Sequence, residues 1–164
     1  MITKNEFTAI VMKSVPEMES VVDVISTAMT AEEMYTTYKA NWPKIMAFNA
    51  KIEGIRLGVL NTCNDVIAKA HEAYKYTQSK CILDFSETLR KNLEDIHKMF
   101  LKSQEPLTLK ASIGEGLDEA ISTYENSFIE MYNLQLDAAE RIARLISKEL
   151  DLLLGMSDSD SDSE

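Results

Sequence analysis

The chain has 164 residues, room for about one domain, and carries only 3 Pro and 5 Gly, where average usage would supply roughly 20. So few turn formers exclude a β-sandwich, a barrel or a doubly wound α/β fold, and leave long helices. A net charge of −10 from 17 Lys+Arg against 27 Asp+Glu argues against nucleic acid as a partner, because a phosphate backbone would be repelled.

The first helix signal is Ser14-Val15-Pro16-Glu17, a capping box with proline at an early helical position. A short amphipathic helix follows through Met18, Val21, Val22, Ile25 and Met29, and Thr30-Ala31-Glu32-Glu33 opens another through Tyr35 and Tyr38. Asn41-Trp42-Pro43 places a capping residue ahead of a first-turn proline and predicts a new helix. From Pro43 to about Lys102 no proline interrupts the chain, and Ile45, Phe48, Ile52, Ile55, Val59, Cys63, Val66, Ala70, Tyr74, Thr77, Cys81, Phe85, Leu89, Leu93, Ile96 and Phe100 recur at a mean step of about 3.67. That is the 11-residue period, which predicts one nearly straight helix of about 90 Å with a continuous apolar stripe.

On such a helix Cys63 and Cys81 stand about 27 Å apart and do not bridge. Ser103-Gln104-Glu105-Pro106 then predicts a break. Ser112-Ile113-Gly114-Glu115 is a further capping box, and the helix it opens repeats the period through Leu117, Phe128, Ala139 and Leu150, flanked by Ala120, Met131, Ile142 and Leu153. Gly155 is its expected terminator, with Arg141, Arg144 and Lys148 toward the negative end of the helix dipole. Ser157 to Glu164 alternates serine with acid and predicts a disordered tail.

The expected fold is therefore all-α: a long antiparallel helical hairpin with short N-terminal helices, completed as a bundle by self-association. Residues 1–34 form the N-terminal part, 35–155 the hairpin and 156–164 the acidic tail. Residues 43–102 carry 10 basic and 7 acidic side chains, whereas 108–155 carry 4 and 9, and this opposition favours their pairing. Two helices cover only part of each apolar face, so Phe48, Ile52, Val59, Cys63, Tyr74, Phe85, Ile96, Leu117, Phe128, Met131 and Ile142 are expected to form a hydrophobic surface or oligomer face.

No stretch approaches the roughly 18 apolar residues of a transmembrane segment, and the N-terminus lacks a secretory pattern, so a cytoplasmic location is expected. No catalytic constellation, cofactor motif or metal site is legible. His71 and His97 lie 26 residues apart with no His or Cys one helical turn away. Paired acids such as Glu94-Asp95 point in different directions on a helix. Gly54 and Gly58 have the spacing of close helix contact.

The segment from Tyr35 to about Lys148 resembles the phasins, helical proteins of bacterial polyhydroxyalkanoate granules. The resemblance rests on Asn41-Trp42-Pro43-Lys44-Ile45-Met46-Ala47-Phe48-Asn49-Ala50-Lys51-Ile52-Glu53-Gly54, on the break at Ser103-Gln104-Glu105-Pro106-Leu107, and on Asp137-Ala138-Ala139-Glu140-Arg141-Ile142-Ala143. It implies a non-enzymatic coat protein whose amphipathic helices lie on the granule surface and limit coalescence, and which also forms homo-oligomers. The alternative is a soluble, self-associating helical scaffold or adaptor that binds partner helices.

Overall fold

The computed structural model describes residues 2–7, 9 and 31–162, with side-chain surroundings given as far as Gly155. The all-α expectation holds: three long helices, α1 (Ala31–Thr77), α2 (Lys80–Ile113) and α3 (Leu117–Asp162), account for most of the described residues. The expected helix of residues 14–29 and its capping box lie outside the described residues.

The two-helix hairpin is corrected to three helices. The predicted 43–102 helix is interrupted at Gln78-Ser79, where Gln78 adopts φ 55° and its N–H donates to the Tyr74 carbonyl at 2.9 Å. This left-handed cap is usually glycine. Here the Gln78 side-chain amide also donates to the Tyr74 and Lys75 carbonyls, at 3.3 and 3.4 Å, and satisfies acceptors left free at the helix end. The second turn has the same cap with Gly114, at φ 78°, whose N–H donates to the Lys110 carbonyl at 2.8 Å.

Other predicted boundaries move as well. Pro43 lies inside α1 and Pro106 inside α2, so neither Asn41-Trp42-Pro43 nor Ser103-Pro106 ends a helix, and the boundary at 34/35 falls within α1. Ser112 is buried in α2, bonded to the Leu109 carbonyl at 2.7 Å, instead of capping α3. Helix α3 continues through Gly155 into the serine-acid sequence that was expected to be disordered, so Arg141, Arg144 and Lys148 are not in its last turn.

The buried positions follow a different period from the expected one. From Ile82 to Leu107 in α2 they are Ile82, Ser86, Leu89, Leu93, Ile96, Phe100, Ser103 and Leu107, steps of four and three in alternation, and toward its end Thr108, Leu109, Ala111 and Ser112 are buried as well. In α1, Tyr38, Ile45, Ile52, Val59, Val66 and Ala73 recur every seven residues. A 3.5-residue repeat is that of helices packed knobs into holes, and it replaces the 11-residue reading.

The helices build two compact units, residues 1–52 with 99–127 and residues 53–98 with 128–164. In the first, α1 and α2 run antiparallel: Asn41 Nδ2 donates to the Ala111 carbonyl at 2.9 Å, and the Asn49 and Gln104 amides exchange hydrogen bonds of 2.9 and 2.8 Å. Helix α3 runs parallel to α1, since Lys44 pairs with Asp118 at 2.9 Å and Lys51 with Glu125 at 3.3 Å. The opposed charges of the two segments thus meet, although exposed pairs contribute only about 0–1 kcal/mol each.

Aromatic rings fill this unit. Phe7 lies 5.1 Å from Tyr38 and 5.5 Å from Tyr35, and Phe48 lies 6.0 Å from Phe100 and 6.4 Å from Tyr124. Phe7 is held there by a helical turn that Thr3 and Glu6 cap reciprocally, through bonds of 3.2 and 3.1 Å.

The second unit repeats the up-down-up order. Cys63 on α1 faces the Gln135 carbonyl on α3 at 3.9 Å, and His71 stands 3.6 Å from Glu87 on α2. Ser79 donates to Glu149 at 3.1 Å and ties the turn to α3. The core here is mostly aliphatic, with Val59, Val66, Ala70, Ala73, Ile82, Leu89, Leu93, Ala139, Ile142 and Ile146, and α3 adds the buried rings of Phe128 and Tyr132.

Candidate interaction surface

The expected apolar face is mostly interior. Phe48, Ile52, Val59, Cys63, Ile96, Leu117, Phe128 and Ile142 are buried within the chain, Tyr74 and Met131 are half-buried, and only Phe85 is exposed, at 50%. Phe85 leaves the stripe because the turn at Gln78-Ser79 resets the helical phase, so that Ser86 takes the core position. The Ser86 hydroxyl donates to the Leu83 carbonyl at 2.7 Å and so enters the core without an unmet donor.

The cysteines also separate. Cys63 is buried on α1 and Cys81 exposed on α2; both are free thiols, though the single-helix spacing no longer describes them. Gly54 and Gly58 are exposed, and a Cβ at either would touch nothing within 4 Å. Their spacing therefore marks no close helix contact.

Exposed Phe85 borders a groove of about 400 Å³ in the second unit, lined by Phe85, Thr88, Leu89 and Asn92 of α2 and by Gln135, Ala138, Arg141, Ile142 and Leu145 of α3. Its chemistry is apolar with a few polar edges. The Arg141 guanidinium has no ion-pair partner among the described residues. The Gln135 Oε1 at this groove and the Tyr132 hydroxyl elsewhere on α3 are buried without a hydrogen-bond partner among the described residues.

Burial pushes the Tyr132 phenol above its ordinary value, with Arg56 opposing and Glu53 reinforcing the shift. Arg56 and Glu53 pair with each other at 2.8 Å. Burial likewise raises the Cys63 thiol, which stays protonated and unreactive at neutral pH.

A shallower concavity follows α3 past Arg144, Lys148 and Leu152, where Arg144 pairs with Glu140 at 2.5 Å. Beyond it Leu152, Leu153 and Leu154 are 58%, 44% and 65% exposed. Of the lining of the α2–α3 groove, Thr88, Asn92, Gln135 and Leu145 do not stand out in the sequence reading above, and Ala138 and Arg141 enter it only through the family resemblance and the helix dipole. For Ala138, Arg141 and Leu145 the signal is a second row of alternating four- and three-residue steps on α3, obscured because Arg141 and Lys148 occupy two of its positions.

Among the described residues no group of three or more His, Cys, Asp or Glu stands together as a metal cluster, and no helix is long and apolar enough to cross a membrane. What the surface offers is contact, apolar side chains bordered by charge. The chain matches no family model, no curated protein and no solved structure.

Proposed function

We propose that the chain is a non-enzymatic coat protein of cytoplasmic polyhydroxyalkanoate granules, which limits their coalescence by holding apolar helix surface on the polymer and acidic surface toward water. The observation that supports the reading is the exposed run Leu152-Leu153-Leu154. Consecutive helical residues point about 100° apart, so no single neighbouring helix covers all three, whereas an extended apolar surface into which the helix sinks meets them together. Each Å² removed from water there contributes about 25 cal/mol. Most of the stripe serves the core, so first contact falls to these leucines and to Phe85. The −10 net charge keeps coated particles apart.

Co-sedimentation with polyhydroxybutyrate particles tests the reading. The protein is expected to pellet with the particles, and the triple variant Leu152→Ser, Leu153→Ser, Leu154→Ser to remain in the supernatant with its helix content unchanged. Wild-type protein that stays in the supernatant overturns the reading.

The groove between α2 and α3 favours a second reading, a soluble self-associating scaffold or adaptor whose partner is an amphipathic helix laid against Phe85 and Leu145. In that case Phe85→Ser abolishes partner binding while the leucine run is dispensable.

A further inference from the structure

Helix α3 carries two seams. One is the core row Phe128, Tyr132, Gln135, Ala139, Ile142 and Ile146. The other, about a third of a turn away, is Leu134, Ala138, Arg141, Leu145, Lys148 and Leu152, which lies outside the core: Leu134 is 55% and Leu152 58% exposed, Arg141 and Lys148 are exposed, and Ala138 and Leu145 half-buried. A helix with two adjacent rows of 3.5-residue spacing has packing surface for two partners. Within the chain α1 and α2 cover the first row and leave the second partly open.

We infer that the outer row is the interface of a two-fold homodimer in which α3 packs antiparallel against α3 of a second copy. The row's steps of four, three, four, three and four read the same in both directions about residue 143. A two-fold axis there sets Leu134 against Leu152 of the second copy, Ala138 against its Lys148, and Arg141 against its Leu145. Such self-complementarity is what an isologous contact requires. The two exposed leucines meet, and the long cationic side chains face small or aliphatic ones, over which their stems lie with the charge at the rim.

Charge fixes the register independently. Asp137 and Lys148 lie on the same flank of the row, and among the described residues neither forms an ion pair. The two-fold axis keeps like flanks together and brings Lys148 beside Asp137 of the second copy, twice per dimer. A parallel arrangement would instead place each charge beside its own kind. Phe85, which borders the row near Leu145, flanks the seam. The dimer stands independently of the coat reading, since it is formed in solution without any surface.

Sedimentation equilibrium of the full chain tests the inference, with a dimer expected at micromolar concentration. Lys148→Asp or Asp137→Lys alone is expected to weaken it by about tenfold, and the double exchange to restore it. Because these positions are exposed, circular dichroism of each variant should match the wild type. In a Cys81→Ser background, a mixture of Leu134→Cys chains with Leu152→Cys chains should oxidise to the mixed disulfide in preference to either symmetric one. A monomer at tens of micromolar, failure of the double exchange to restore association, or preferred symmetric disulfides would each overturn the proposal.

Discussion

The two units use the same three helices to different ends. The first, which contains Asn41, Asn49 and Gln104, closes on itself with cross-helix hydrogen bonds and a cluster of aromatic rings. The second has a mostly aliphatic core around Phe128 and Tyr132, leaves the Tyr132 hydroxyl and Gln135 Oε1 without partners among the described residues, and turns Phe85, Leu134 and Leu152–Leu154 outward. The first unit also exposes Met46, Met99 and Leu101, so the two differ in how much apolar surface they turn out, not in whether they do. Large apolar side chains exposed along one side of a helix are the arrangement of a surface meant to be covered.

The contrast is broken most forcefully at two phenylalanines that the stripe treats as equivalent. Phe48→Ala in the first unit should cost about 3–5 kcal/mol, because a buried ring in contact with Phe100 and Tyr124 leaves a cavity. Phe85→Ala in the second should stay within about 0.5 kcal/mol. Urea unfolding of both variants measures the difference, and equal losses would mean that the units are not distinct in this respect.

The polar lock is the next largest effect. Asn49→Leu strands the Gln104 amide at a half-buried site and is expected to cost about 1–3 kcal/mol, whereas adding Gln104→Leu should return stability to near the wild type. A double-mutant cycle by thermal melting reads this coupling.

A smaller effect sharpens the second unit. Burial raises the Cys63 thiol from its ordinary value of 9.0. The unfolded chain therefore ionises first, so the thiol's contribution is intact below pH 9 and is lost as pH climbs through the higher folded value. The urea midpoint should fall as pH rises above 9, and Cys63→Val should flatten that fall. A slope unchanged by the substitution would remove Cys63 as its source. Smallest of all, Gly54→Ala and Gly58→Ala should each stabilise by about 0.5–1 kcal/mol, since a Cβ meets open space and helix entropy improves.

Helix was legible because glycine and proline were scarce, and most of the core was legible because large apolar residues recur at helical spacing. What escaped was punctuation. Gln78 performs a glycine's task through its own side-chain amide, so no residue type announced the turn. Pro43 and Pro106 announced ends that do not occur, because tertiary packing on both sides outweighs about 3 kcal/mol of local cost. Ser86 and Ser103 hid two core positions, since a hydroxyl bonded to its own helix packs as a small side chain. The surface row on α3 escaped because an apolar count penalises Arg141 and Lys148 at the positions where a partner's leucine can use their stems.

The turn at Gln78-Ser79 also orders events in time. It lets His71 approach Glu87 across only 16 residues, while Asn49 reaches Gln104 across 55 and Asn41 reaches Ala111 across 70. Closing the longer loops directly costs about 1 kcal/mol more chain entropy, so the α1–α2 pairing zips away from Gln78 toward Asn41 and Ala111. Helix α3 reaches α1 only across longer spans, 72 residues from Cys63 to Gln135 and 74 from Lys44 to Asp118, so it packs onto an α1–α2 hairpin that has already formed.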